Sequence, residues 1–211
     1  VPIMLTLALS LAVLLNSALG RLRGFFRVAY FMPAITALVA YAIIFSILLN
    51  EDFGAVNYFL SFFGIDPLPW LTNGFWAKVS LIMALTWRYT GYNMVIFLAG
   101  LQGISQDLYE AAAVDGANRW RQFVSITVPQ LRPVILFTVV LSTIGTLQLF
   151  DEPFVLTDGG PGNATLTIAM YLYQNGFQFF DFGYASAIAY VLVVLIAILS
   201  FLQLRFLGER E

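Results

Sequence analysis

Five stretches of this chain are long and apolar enough to cross a lipid bilayer, and that constrains it more than any motif does. A hydrocarbon core takes about 20 predominantly apolar residues per helix. The segments near 1 to 19, 30 to 49, 77 to 101, 133 to 153 and 184 to 204 each qualify. Lipid offers no partner to a backbone amide, so each is expected as an α-helix and the whole as an all-α, polytopic membrane helical bundle. Composition agrees: 60% of the 211 residues are apolar and 10% charged, where a soluble domain carries about 25% charged residues. The first segment has no basic leader and exceeds a signal peptide's apolar stretch of 7 to 15 residues. The chain therefore reads as a single transmembrane domain over residues 1–211, begun inside a membrane protein and truncated at its N-terminus.

With no Cys and no His, thiolate and imidazole metal sites and His-dependent nucleophilic triads are excluded. The one lysine, Lys78, follows Trp76 and Ala77, so no Gly-Lys-Ser/Thr phosphate loop can be written. No catalytic residue, metal site or cofactor is expected. A net charge of −2 offers no basic patch to nucleic acid. What remains is polar chemistry inside a hydrophobic protein, which points to transport.

The basic residues decide the orientation. Arg21, Arg23 and Arg27 follow the first span, Arg119, Arg121 and Arg132 lie between the third and fourth, and Arg205 and Arg210 close the chain. All fall on one side, whereas Glu51, Asp52, Asp66, Asp158 and Asp181 fall on the other, with Lys78 alone at the start of the third span. The positive-inside rule puts the N-terminus outside and the C-terminus in the cytoplasm. Pro33 and Pro133 read as starts of the second and fourth spans, where a missing N–H costs little. Segment 50–76, with Gly54, Gly64, Pro67, Pro69 and its aromatics, reads as an outer cap with interfacial rings. Segment 163–183 is aromatic but broken at Gln174-Asn175-Gly176, which suits an interfacial or re-entrant helix.

Residues 104–132 form a connection far longer than the 2 to 8 residues usual between bundle helices. They carry helix signals. Ser105 and Asp107 are candidate N-caps, Asp107 and Glu110 have capping-box spacing, and Gly116 can stop a helix in a left-handed turn. Asn118 can cap a second helix that Pro129 ends. An Ala-rich turn edged by Glu110, Asp115, Arg119 and Arg121 would suit docking against another protein.

Glu110-Ala111-Ala112, three residues, Gly116, nine residues, then Ile126-Thr127-Val128-Pro129 resembles the EAA loop of permease subunits of binding-protein-dependent ABC importers. Only Val128 departs, standing where that pattern has Leu. Leu108-Tyr109, Asp115-Gly116-Ala117 and the outer stretch Val155 to Thr165 resemble the carbohydrate-uptake branch, of maltose and glycerol-3-phosphate type. That outer stretch and the short charged tail resemble the first permease of the pair. The resemblance implies a type I importer permease that is half of a heterodimeric pore in the inner membrane. Its implied partners are a second permease subunit, two ATP-binding ATPase subunits and an extracytoplasmic sugar-binding protein. Glu110, Ala111, Ala112, Asp115, Gly116, Arg119 and Pro129 would belong to the loop coupled to the ATPase.

Trp87, Arg88, Tyr89, Tyr92 and Asn93 occupy the middle of the third span, and an ionisable group there normally faces protein or a water-filled cavity. Gln148, Phe150, Asp151 and Glu152 lie in the outer half of the fourth. At about 1.5 Å per residue Arg88 and Gln148 reach similar depth, so Arg88 can pair with Asp151 or Glu152. Hydrogen-bonding side chains beside aromatic rings suit the edges and faces of sugars. The resemblance places Tyr92, Phe150 and Asp151 in or near the sugar site, with Asp151 where an amide can occur. The rival reading is an ion-coupled secondary transporter or channel, which uses buried Arg88 and Asp151 but leaves the long cytoplasmic loop without a purpose.

Overall fold

A computed structural model describes residues 1–17 and 23–208. Where described, all five apolar segments are helical, but two are interrupted. In chain order the helices begin with α1 (Pro2–Ser17), α2 (Arg23–Ile35), α3 (Leu38–Leu48), α4 (Ala55–Ser61), α5 (Gly74–Gln102) and α6 (Gln106–Val114). There follow α7 (Arg119–Gln122), α8 (Val128–Gln130), α9 (Arg132–Leu147), α10 (Asp151–Leu156), α11 (Ile168–Tyr173) and α12 (Phe182–Gly208). Short π-helical turns at Phe123–Thr127 and Gln174–Gln178 follow α7 and α11. Arg21 and Arg210, used above to orient the chain, lie outside the described residues.

The second expected span is not one helix. It breaks at Thr36 and Ala37 into α2 and α3, and Pro33 sits in the last turn of α2 rather than at a helix start. Within α2, Pro33 removes one ladder hydrogen bond and crowds the turn before it. The fourth span ends at Leu147 instead of 153, with Gln148 to Phe150 between α9 and α10. Pro133, by contrast, is the second residue of α9 as its spacing suggests. Among the described residues, α12 alone is an uninterrupted helix both long and apolar enough to cross a membrane; the pairs α2–α3 and α7/α8–α9 reach that length only together. Helix α5, at 29 residues, is about 43 Å long, with polar groups from Trp87 to Asn93 in its middle.

The chain divides into two compact units. One comprises residues 1–34, 89–143 and 199–211. Its core packs Met4, Leu5, Ala8, Ala12 and Leu15 of α1 with Met94, Phe97, Leu98 and Leu101 of α5 and Leu131. Ala8 and Ala12, one turn apart and fully buried, let backbones approach as small residues do between membrane helices. Gly91 of α5 carries this further, because a Cβ there would collide with the Tyr30 carbonyl of α2.

The other unit comprises residues 35–88 and 144–198. Tyr41 and Ala42 of α3, Leu81 and Ala84 of α5 and Leu156 of α10 form its core. Its connection from α3 to α5 is pinned by one buried amide. The Asn57 side chain donates to the Glu51 and Leu68 carbonyls, both at 3.0 Å, and accepts from the Leu68 N–H at 3.1 Å and the Trp70 indole at 2.8 Å.

Candidate functional site

The long connection folds as a helical hairpin whose ends are closed by short-range hydrogen bonds. Ser105, in extended conformation, is the N-cap of α6, and its hydroxyl accepts the Asp107 N–H at 3.3 Å. The capping box expected from Asp107 and Glu110 does not form: with Ser105 as the cap, Asp107 is the second helical residue and its carboxylate faces the helix N-terminus. At the other end Gly116 has φ +78°. The Gly116 N–H bonds to the Ala113 carbonyl at 3.0 Å and the Ala117 N–H to that of Ala112 at 2.8 Å. These two bonds make a Schellman stop, which requires the left-handed residue that glycine supplies.

Asn118 then caps α7, its side chain accepting the Arg121 N–H at 2.9 Å. The run ends at Gln130, one residue past Pro129. In the π-helical turn the Val128 N–H bonds to the Phe123 carbonyl, five residues back, and Pro129 falls in the first turn of α8, where its absent N–H is not needed. The chain bends by 65° only at Leu131, entering α9. Across the base of the hairpin the Tyr109 and Thr127 hydroxyls are 2.9 Å apart.

The tip is left bare. Neither α6 nor α7 buries a residue; Glu110, Ala111, Asp115, Gly116, Arg119 and Pro129 are exposed and Ala112 is half-buried. Val114 is 89% and Trp120 72% exposed. The turn thus presents apolar and charged groups side by side without covering them.

The polar residues of α5 fall in both units. Arg88 guanidinium Nη1 lies 3.9 Å from Glu152 Oε1, with side chains 14% and 3% exposed, and the guanidinium sits 5.1 Å above the Tyr41 ring centre. Tyr41 stacks on Trp87, centroids 5.8 Å apart and planes nearly parallel. Of the two carboxylates available to Arg88, Glu152 is therefore the partner, and Asp151 is exposed. Gln148 is exposed as well, in the break where depth counted along a continuous span no longer holds. Phe150 stacks on Phe154 at 5.0 Å and meets Tyr173 edge-on at 5.2 Å. In the other unit Asn93 is buried, its amide donating to the Tyr89 carbonyl at 3.0 Å and its oxygen facing the Ser142 hydroxyl at 3.5 Å. Tyr92 is exposed. Sequence reasoning missed Tyr41; the signal for it was a hydroxyl-bearing ring in the middle of a largely apolar stretch.

Apolar helices that bury ionisable groups, together with an uncovered capped hairpin, fit the class of membrane permeases. The chain belongs to the family of binding-protein-dependent transport system inner membrane components, which it matches over residues 4–210. It is 50% identical over 216 residues to the lactose transport system permease protein of Rhizobium radiobacter, covering 100% of this chain and 72% of that one. The trehalose/maltose transport system permease protein of Thermococcus litoralis is 37% identical, covering 94% of this chain and 67% of the relative. A solved bacterial ABC transporter that imports the acidic polysaccharide alginate superposes with a TM-score of 0.83 at 26% identity, over 95% of this chain and 72% of that one.

Proposed function

We propose that this chain is the pore-forming permease subunit of an ATP-driven importer that moves a sugar or oligosaccharide into the cytoplasm, and that residues 104–132 couple it to a separate ATPase. The observation that carries the coupling is the bare, doubly capped hairpin. ATP can shift the pore between its two states only through a differential interaction that reaches the membrane helices. A hairpin that flexed would dissipate that interaction. Here the Schellman stop at Gly116, the caps at Ser105 and Asn118 and the Tyr109–Thr127 contact oppose flexing, and Glu110, Ala111, Ala112, Asp115, Gly116 and Arg119 are free to meet the ATPase. Pro129 lies at the root of the hairpin, just before the bend into α9.

In this reading the chain does no chemistry; ATP hydrolysis belongs to two ATPase subunits, a second permease completes the pore, and an extracytoplasmic binding protein delivers the sugar. Residues 1–211 act as one transmembrane domain with the N-terminal end of α1 outside and the C-terminus in the cytoplasm, as the arginine distribution asks. Trp87, Arg88, Tyr89, Tyr92, Asn93, Gln148, Phe150 and Asp151 contribute to the sugar pathway. Tyr92 in the one unit and Gln148 and Asp151 in the other are exposed and available to substrate, whereas Asn93 and Arg88 are each enclosed within their own unit.

Uptake into vesicles holding the complete importer is the test. Uptake that needs internal ATP, and that Glu110→Lys abolishes while the subunit still inserts, is the expected result. Uptake driven by an ion gradient alone, or ATP-driven uptake by Glu110→Lys equal to wild type, overturns the coupling.

A further inference from the structure

The connection between α3 and α5 is built inside out. In α4 the residue turned inward is polar Asn57, with its four hydrogen bonds, while Tyr58 and Phe59 point outward together with flanking Phe53, Phe62 and Phe63. These five rings are between 62% and 72% exposed. They pair in advance, Tyr58 with Phe62 at 5.1 Å and Phe59 with Phe63 at 5.4 Å. Water is the wrong solvent for such a surface, since a helix at an aqueous boundary turns its apolar stripe inward. Lipid is the right one.

We infer that α4 and its flanking rings lie in the interfacial layer of the bilayer, an apolar anchor that fixes the depth of the α3–α5 connection. Two further observations favour lipid as the occupant. The aromatic face follows directly on α3, whose outward side chains Val39, Ile43 and Ile47 are exposed and apolar, so one surface of one character runs from the span into the cap. And residues 50–73 hold no Lys or Arg but do hold Glu51, Asp52 and Asp66. The attachment is therefore apolar and indifferent to anionic lipid, unlike the basic amphipathic helices that bind membrane surfaces by charge. It is independent of the docking hairpin.

Residues 1–211 hold no cysteine, so Phe62→Cys supplies a label site that is unique within them, any cysteine elsewhere in the subunit being replaced first. A nitroxide placed there, and separately at Phe59→Cys, is read in the assembled transporter in phosphatidylcholine vesicles by collision with oxygen and with a water-soluble nickel chelate. Both positions are exposed, so neither replacement disturbs the fold. Oxygen collisions several-fold above those of the chelate at both sites, reversed at Asp66→Cys and unchanged when anionic lipid is added, are expected. Chelate-dominated collisions at 59 and 62 mean the face looks into water, and low access to both reagents means another protein covers it. Either result overturns the anchor.

Discussion

The hairpin from Ser105 to Gln130 and the buried pair of Arg88 with Glu152 are both charged features of a hydrophobic chain, yet opposite principles hold them. The hairpin keeps its charges in the open and takes its shape from its own backbone: a hydroxyl cap, an amide cap and a glycine stop, all within a few residues of what they close. The pair keeps its charges covered and takes its shape from three helices distant in sequence, α3, α5 and α10. Local devices can be read from sequence because their spacing is their mechanism. A tertiary device cannot, since which carboxylate meets Arg88 depends on where the helices begin.

The two should therefore fail differently. Glu152→Leu is expected to have the largest effect, because it leaves the Arg88 guanidinium buried without its carboxylate; removing one member of a buried pair costs about 3–5 kcal/mol. Thermal unfolding in detergent measures it. The double replacement Arg88→Leu with Glu152→Leu should recover most of the loss, since no uncompensated charge remains. A double variant as unstable as the single one would show that the carboxylate serves something other than Arg88.

Gly116→Ala comes next. No neighbouring atom lies within 4 Å of the Cβ it would add, so the cost is the left-handed backbone alone, about 1–2 kcal/mol. Because the site is exposed and its bonds are local, the loss should appear as fraying of the hairpin by hydrogen exchange while the transmembrane helices keep their protection. Asn118→Ala should cost about 1 kcal/mol, the usual value of an N-cap, with exchange quickened at the Arg121 amide that Asn118 accepts. Loss of protection throughout α5 in either variant would mean that the hairpin is not the self-contained element its bonding describes.

Much of the hairpin was legible for this reason: Gly116 and Asn118 do what their residue types and positions ask. Asp107 lost its expected role only because Ser105, two residues earlier, caps first, and two competing caps cannot be ranked without the backbone. The π-helical turn is written nowhere in Phe123–Thr127; it arises where the ladder shifts by one residue ahead of Pro129. The break of the second span was equally hidden. Residues 30 to 49 are predominantly apolar, so hydropathy does not mark the break at Thr36 and Ala37, and Pro33 taken alone pointed to a helix start.

Asp151 and Glu152 put the contrast into two adjacent residues. The chain leaves helical geometry after Leu147 and resumes it at Asp151, so α10 starts with a phase that the α9 pattern does not transmit. In that phase Glu152 turns inward under Arg88 and its neighbour turns out. Asp151→Asn removes a charge that no ion pair holds, and its effect on stability should stay within about 0.5 kcal/mol, the range of ordinary surface changes. If Asp151 meets the passing sugar, the same variant should change the concentration dependence of uptake without changing the unfolding temperature. An equal fall in both would place Asp151 with Glu152 in the framework and leave the pathway to Tyr92 and Phe150.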